Sequence, residues 1–215
     1  MKILTKTGGM ATTNCFLIAD EESKQAVLFD APDHTTTPLL NEAEKRGWDV
    51  VGLWLTHGHW DHIADHAAVI QRFPGARVLI HELDEPKLQN PGSMTFMLPF
   101  TIPGRKADAY VNDGEQLKLG SMDVDVIFTP GHAPGHVMYH FPKQRVLIGG
   151  DLIIAGTIGR YDFPDCSYTD LCKSIRRVMR LPPETQLFGG HGDPTTLGHE
   201  LENNFGVREA MEASS

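Results

Sequence analysis

Between Thr56 and His62 the chain reads THGHWDH, three histidines and one aspartate within seven residues, directly behind the apolar run VVGLWL. Imidazole nitrogens and carboxylate oxygens are the natural ligands of zinc, iron and manganese. Residues of the same kinds close other apolar runs: His132 in TPGHAPGH after DVDVIF, Asp151 in IGGD after RVLI, and His191 in GGHG after TQLF. Glycines beside them free the backbone to aim each side chain inward. His57 and His59 can point to one side of an extended segment, while Asp61 and His62 begin the next turn and aim elsewhere. A division of His57, His59 and His132 against Asp61, His62 and His191, with Asp151 between them, would suit two metals sharing a bridging carboxylate. The other histidines, His34, His66, His81, His140 and His199, read as ordinary surface or capping residues. His136 either orients a ligand residue or simply closes its turn.

The elements that must position these residues alternate. NCFLIAD and QAVLFD, separated by EESK, read as a hairpin. TTTPLLNEAEKRG carries helix signals, with Thr36 or Thr37 as N-cap, Pro38 at the first position, Lys45 and Arg46 late, and Gly47 as the stop. VVGLWL is a strand buried on both faces, and IADHAAVIQRF a helix closed by Pro74 and Gly75. ARVLI is the next strand. Residues 82–112, broken by Pro86, Pro91, Pro99 and Pro103 around the apolar MTFMLPF, predict a long surface excursion of the kind that forms lids. QLKLG, DVDVIFTP, HVMYHF and RVLIGGD follow as strands, then a helix around YTDLCKSIRRVMRL and the strand TQLFGG.

Length and composition exclude several classes. The 215 residues suit a single domain, 1–215, with one large core. A net charge of -9 and the lack of a basic cluster argue against nucleic-acid substrates. The apolar stretch CFLIA is too short for a signal peptide, and nothing approaches a membrane span, so a cytoplasmic protein without membrane contact is expected. Cys15, Cys166 and Cys172 form no C-x-x-C pair and read as buried, inert thiols.

H-x-H-x-D-H followed in order by GHAPGH, GGD and GGHG resembles the metallo-β-lactamase superfamily, and the resemblance spans nearly the whole chain. It implies an α/β fold, an αββα sandwich with the metal site at one edge between two β-sheets. Within the superfamily, GHAPGH, GGDLIIAGTIGRYDFP and HGDPTTLGHELENN are most similar to the compact bacterial type II glyoxalase group, the hydroxyacylglutathione hydrolases. Carried over by position, His57, His59 and His132 bind one metal, Asp61, His62 and His191 the other, and Asp151 bridges them. Asp30, at the end of VLFD, matches an early family aspartate that orients a ligand imidazole. Glyoxalase II enzymes carry a C-terminal helical glutathione-binding domain, and no such domain is expected here.

The implied function is that of a dinuclear hydrolase. Two divalent ions, zinc first with iron or manganese also suitable, held roughly 3.5 to 4 Å apart can bring the pKa of a shared water towards neutrality. The metal-bridging hydroxide is then the nucleophile, and Asp61 or Asp151 accepts a proton as the tetrahedral intermediate collapses. A thiolate, whose parent thiol has a pKa of about 8.5, leaves without a general acid, which favours a small thioester of the S-D-lactoylglutathione type over amides. Arg160 and Tyr161 in GTIGRYDFP, and Trp60 in the metal turn, either line the substrate pocket or pack locally. The expected enzyme is a monomer or small homo-oligomer. The alternatives are a lactonase or promiscuous β-lactamase on the same metal pair, and a persulfide dioxygenase of the same fold that works with a single iron.

Overall fold

The computed structural model describes residues 1–91 and 98–213. The chain divides into two compact units, Met1–Val111 with Lys118–Met122, and Asn112–Leu117 with Asp123–Ser215.

The first unit is built on β1 (Lys2–Gly8), β2 (Thr13–Asp20), β3 (Gln25–Phe29), α1 (Thr36–Arg46), β4 (Asp49–Trp54), α2 (Trp60–Ile63), α3 (His66–Arg72), β5 (Arg77–Ile80), α4 (Glu85–Gln89) and β6 (Ala109–Tyr110). Its six strands form one sheet in sequence order. The expected hairpin is present, with β2 antiparallel to β3, and β3 through β6 then run parallel. Parallel neighbours need crossover connections, which α1 and α2–α3 supply. Leu17, Leu28, Leu53, Val78 and Ile80 from the sheet pack with Leu39, Leu40 and Ala43 of α1 and Val69 of α3.

Two helix expectations are corrected here. The N-cap of α1 is Thr35, and Pro38 falls at the third helical position. Thr35 turns its hydroxyl back to the Pro32 carbonyl at 2.6 Å, and the Thr36 amide donates to Asp65 Oδ2 at 3.3 Å, so a carboxylate from elsewhere caps the helix. The helix expected over IADHAAVIQRF is interrupted at the same residue. Asp65 stands between α2 and α3, and its N–H donates to the Ala31 carbonyl at 2.7 Å. Gly47 ends α1 in the left-handed conformation as expected. Within 82–112 lie a 3-10 turn (Glu82–Asp84), α4 and β6. Of the 82–112 segment expected as an excursion or lid, residues 92–97, with the first four of MTFMLPF, lie outside the described residues.

The second unit carries β7 (Gln116–Leu119), β8 (Met122–Phe128), β9 (Val137–Phe141), β10 (Val146–Gly150), β11 (Ile153–Ile154), β12 (Thr157–Ile158), α5 (Tyr168–Val178), β13 (Gln186–Gly189), β14 (Thr195–Thr196), α6 (Leu197–Asn203) and α7 (Phe205–Glu212). The outer end of the β7–β8 hairpin groups with the first unit. A six-stranded sheet runs β14-β13-β10-β9-β8-β7, and β11 pairs with β12 as a separate hairpin. β8, β9 and β10 are antiparallel, and β13 joins β10 in parallel through the α5 crossover. Met138, Leu147 and Leu187 pack with Leu171, Cys172, Ile175 and Val178 of α5 and Val207 and Ala210 of α7. Side-chain caps start each helix: Ser167 accepts from Asp170 N, Thr196 from His199 N and Asn204 from Val207 N.

Candidate metal centre

In the first unit the ligand turn is organised by Asp30. Phe29 and Trp54 are register partners in parallel β3 and β4, so Asp30 and Thr56 leave the sheet side by side. Asp30 has φ 58, a left-handed conformation that a non-glycine residue holds only when its surroundings fix it. What fixes it is the ligand turn. Asp30 Oδ1 accepts the Thr56 N–H at 2.8 Å, while Oδ2 accepts the Thr56 hydroxyl and His62 Nδ1, each at 2.8 Å. Because the Thr56 proton is directed at Asp30, its oxygen accepts from His57 Nδ1 at 3.0 Å. One buried carboxylate therefore holds a proton on Nδ1 of both His57 and His62, and Nε2 is the ring atom turned away from it.

The rest of the turn follows from close packing. His57 Nε2 lies 3.0 Å from His59 Nδ1, and His62 Nε2 lies 3.5 Å from Asp61 Oδ2. Asp61 Oδ2 also accepts the Thr13 hydroxyl at 2.8 Å. Gly58 between the first two histidines donates its N–H to Asp84 Oδ2 at 2.7 Å, and a Cβ there would meet the Asp84 carbonyl at 2.7 Å, so no larger residue fits. His59 is extended and caps the short helix that carries Asp61 and His62.

The second unit brings His132, Asp151 and His191 together. Asp151 Oδ2 lies 3.5 Å from His132 Nε2 and 3.3 Å from His191 Nε2. His132 Nδ1 meets the Arg160 carbonyl at 2.9 Å. A carbonyl only accepts, so Nδ1 holds a proton and Nε2 is the ring atom that faces the carboxylate oxygen. The donor set of imidazole nitrogen and carboxylate oxygen is that of zinc, iron or manganese. Gly131 in the His132 loop has φ 136, and a Cβ there would strike Leu171 N at 2.3 Å.

The residues singled out as substrate contacts have local partners. Arg160 donates to Asp162 at 2.7 and 2.8 Å and stacks over the Phe163 ring at 3.8 Å. Tyr161 is 47% exposed, with its ring 4.6 Å from that of Tyr168. Trp60 packs on the first unit's core, 6.4 Å from the Phe100 ring. Burial, with the charge of Asp30 next, pushes the Cys15 thiol well up, which suits an inert residue. Cys172 is buried as expected, but Cys166 is only half-buried, its thiol reaching the His132 carbonyl at 3.0 Å. His81 caps the 3-10 turn and His34 is exposed, whereas His66 and His140 are buried, which pushes their pKa values down. Thr13, Thr56 and Asp84 escape a reading by residue type, because hydroxyls and lone acids are common and only the fold sets them beside ligands. Asp84 alone leaves a trace, as an acid close behind a buried strand.

The profile of the metallo-beta-lactamase superfamily matches residues 8–191. Hydroxyacylglutathione hydrolase GloC of Haemophilus influenzae is 33% identical over 195 residues, covering 89% of this chain and 91% of that protein. The hydroxyacylglutathione hydrolase of Maricaulis maris is 32% identical over 176 residues, covering 82% of this chain but only 60% of that longer relative. Among solved structures, the B3 metallo-beta-lactamase BLEG-1 superposes with a TM-score of 0.88 at 29% identity, covering 96% of this chain and 99% of that one. TTHA1623, in a di-iron-bound form, gives 0.83 at 31% identity, covering 94% and 98%. The fold is the metallo-β-lactamase fold, as the sequence resemblance implied. The chain belongs to the metallo-β-lactamase superfamily as a metallohydrolase.

Proposed function

We propose that this metallohydrolase cleaves a small thioester of the S-D-lactoylglutathione type at a pair of divalent ions. His57, His59 and His132 would hold one ion, Asp61, His62 and His191 the other, and Asp151 both. The observation that carries the reading is Asp151, whose one carboxylate oxygen is approached by imidazoles from two different strand ends, His132 at 3.5 Å and His191 at 3.3 Å. Such ions supply an acidic water for attack and polarise the acyl carbonyl. Zinc is the first candidate, and the di-iron form of TTHA1623 supports iron as the second.

The chain's own residues prepare this chemistry. Asp30 keeps His57 and His62 in the tautomers that expose Nε2. Thr13 holds Asp61 by one oxygen, so that carboxylate has a fixed direction from which to take a proton. A thiolate leaving group needs no acid, and none is required of the ligand turns. Arg160 is engaged by Asp162, which leaves Tyr161 and Trp60 as the aromatic surfaces proposed to receive the acyl and thiol parts. The names of the relatives, hydroxyacylglutathione hydrolases, support the thioester over the lactone. The name of BLEG-1 keeps β-lactam hydrolysis as the second reading. Three free cysteines and a net charge of -9 support a cytoplasmic enzyme that handles neither nucleic acid nor membrane, as monomer or small homo-oligomer.

A panel of S-D-lactoylglutathione, a simple aryl ester, a homoserine-type lactone and a β-lactam, assayed on zinc- and iron-loaded protein, tests the assignment. The highest kcat/KM should fall on the thioester. A preference of tenfold or more for the lactone or β-lactam would overturn it.

A further inference from the structure

His136 lies outside the proposed ligand set, yet its ring is fully buried. It closes the loop between β8 and β9 that carries His132. The Thr129 N–H donates to the His136 carbonyl at 2.9 Å, and the Thr129 hydroxyl meets His136 Nδ1 at 2.8 Å, so the loop is sealed at main chain and side chain together. The other ring nitrogen looks elsewhere. His136 Nε2 accepts the main-chain N–H of Asp151 at 3.0 Å. An amide N–H only donates, so Nε2 carries the lone pair and the ring proton sits on Nδ1, donated to Thr129.

Asp151 needs such a partner. The β10–β13 ladder shifts register between Ile148 and Gly150, and Gly150 has φ 49, which turns the following amide out of the sheet. A buried N–H outside the ladder must be satisfied by a side chain or water. Closing the turn uses only Nδ1, and the use of the second nitrogen on Asp151 carries the inference. We propose that His136 is a positioning residue that fixes the spacing of His132 and Asp151, 3.5 Å apart at Nε2 and Oδ2, for metal binding. This rests on the reading of those two residues as ligands.

Metal affinity measured against a buffered chelator, with thermal melting of the metal-free proteins, tests it in wild type, H136A, H136N, H136Q and D151A. A glutamine oxygen reaches the place of Nε2 and accepts the Asp151 N–H, whereas an asparagine oxygen falls short. Affinity should drop roughly 10–100-fold in H136A and H136N. H136Q should recover most of that loss. Unchanged affinity in a folded H136A or H136N overturns the proposal, as does a folded H136Q no better than H136N. If the alanine and asparagine variants do not fold, ring 15N NMR of wild type decides at neutral pH: a proton on Nδ1 supports the proposal, and one on Nε2 overturns it. Equal metal content in wild type and D151A would remove the ligand reading, and the proposal with it. A deficit in D151A beside an unchanged H136A would overturn the proposal alone.

Discussion

The two units support their ligands by different means. In the first, the four proposed ligand residues share one turn and one side chain sets two of them: Asp30 holds His62 directly and His57 through Thr56. In the second, each proposed ligand ends a different stretch of chain and has its own support, the Arg160 carbonyl for His132 and the His136 ring, which accepts the main-chain N–H, for Asp151. A clustered set can be steered by one residue and lost with it. A dispersed set has separate supports, so each single change reaches only the ligand that it serves.

The largest expected effect strikes both halves equally. H57A and D151A should each reduce thioester turnover to the level of chelated protein while circular dichroism shows the fold retained, because the ions serve one reaction. Substantial turnover in either would break the pairing of the halves. Next in size comes the contrast itself. D30N keeps the shape but exchanges a charged acceptor for a neutral one, and metal affinity should fall roughly 10–100-fold. R160A removes a side chain but leaves the carbonyl that holds His132, and its metal affinity should stay within about threefold. A loss in R160A as large as in D30N would erase the distinction.

A carboxylate at the other end of β2 sharpens it further. Asp20 accepts the Ser121 amide at 2.8 Å and its hydroxyl at 3.0 Å, and these donors, the amide foremost, hold its carboxyl at about 2 against an ordinary 3.8. A folded-state pKa below the unfolded value stabilises the fold at pH above 3.8, and that contribution drains away as the pH falls towards 2. D20N should therefore cost about 1–2 kcal/mol at neutral pH, and much less near pH ~2, in denaturant titrations. Its metal affinity should equal wild type. The smallest effects belong to the thiols: C15A, C166A and C172A should each retain turnover near wild type, and a drop of a hundredfold or more in a folded variant would show thiol chemistry.

This asymmetry also explains what the sequence discloses. THGHWDH is legible because four ligand types crowd one turn behind a buried strand, and β4 appears where the apolar run places it. His132, Asp151 and His191 are legible only through a shared position, at strand ends beside glycines. The supports are not legible, since Thr13 meets Asp61 across 48 positions and Asp84 meets Gly58 across 26. The same long-range logic explains the α1 cap and the break before α3: Asp65 meets Thr36 with its carboxylate and Ala31 with its main-chain N–H, and local helix signals cannot register partners so far away in sequence. Short pairings such as β6, β11, β12 and β14 carry two residues each, too few for any alternation to show.

The central claim is that one reaction needs two ions and no oxygen. Metal-free protein titrated with zinc and, separately, with iron under nitrogen, with thioester hydrolysis followed at each addition, tests it most directly. The account predicts that activity keeps rising to the second equivalent per chain, and that admitting air leaves the rate unchanged. Activity complete at one equivalent of iron, with no hydrolysis under nitrogen and oxygen uptake on adding glutathione persulfide, would contradict it.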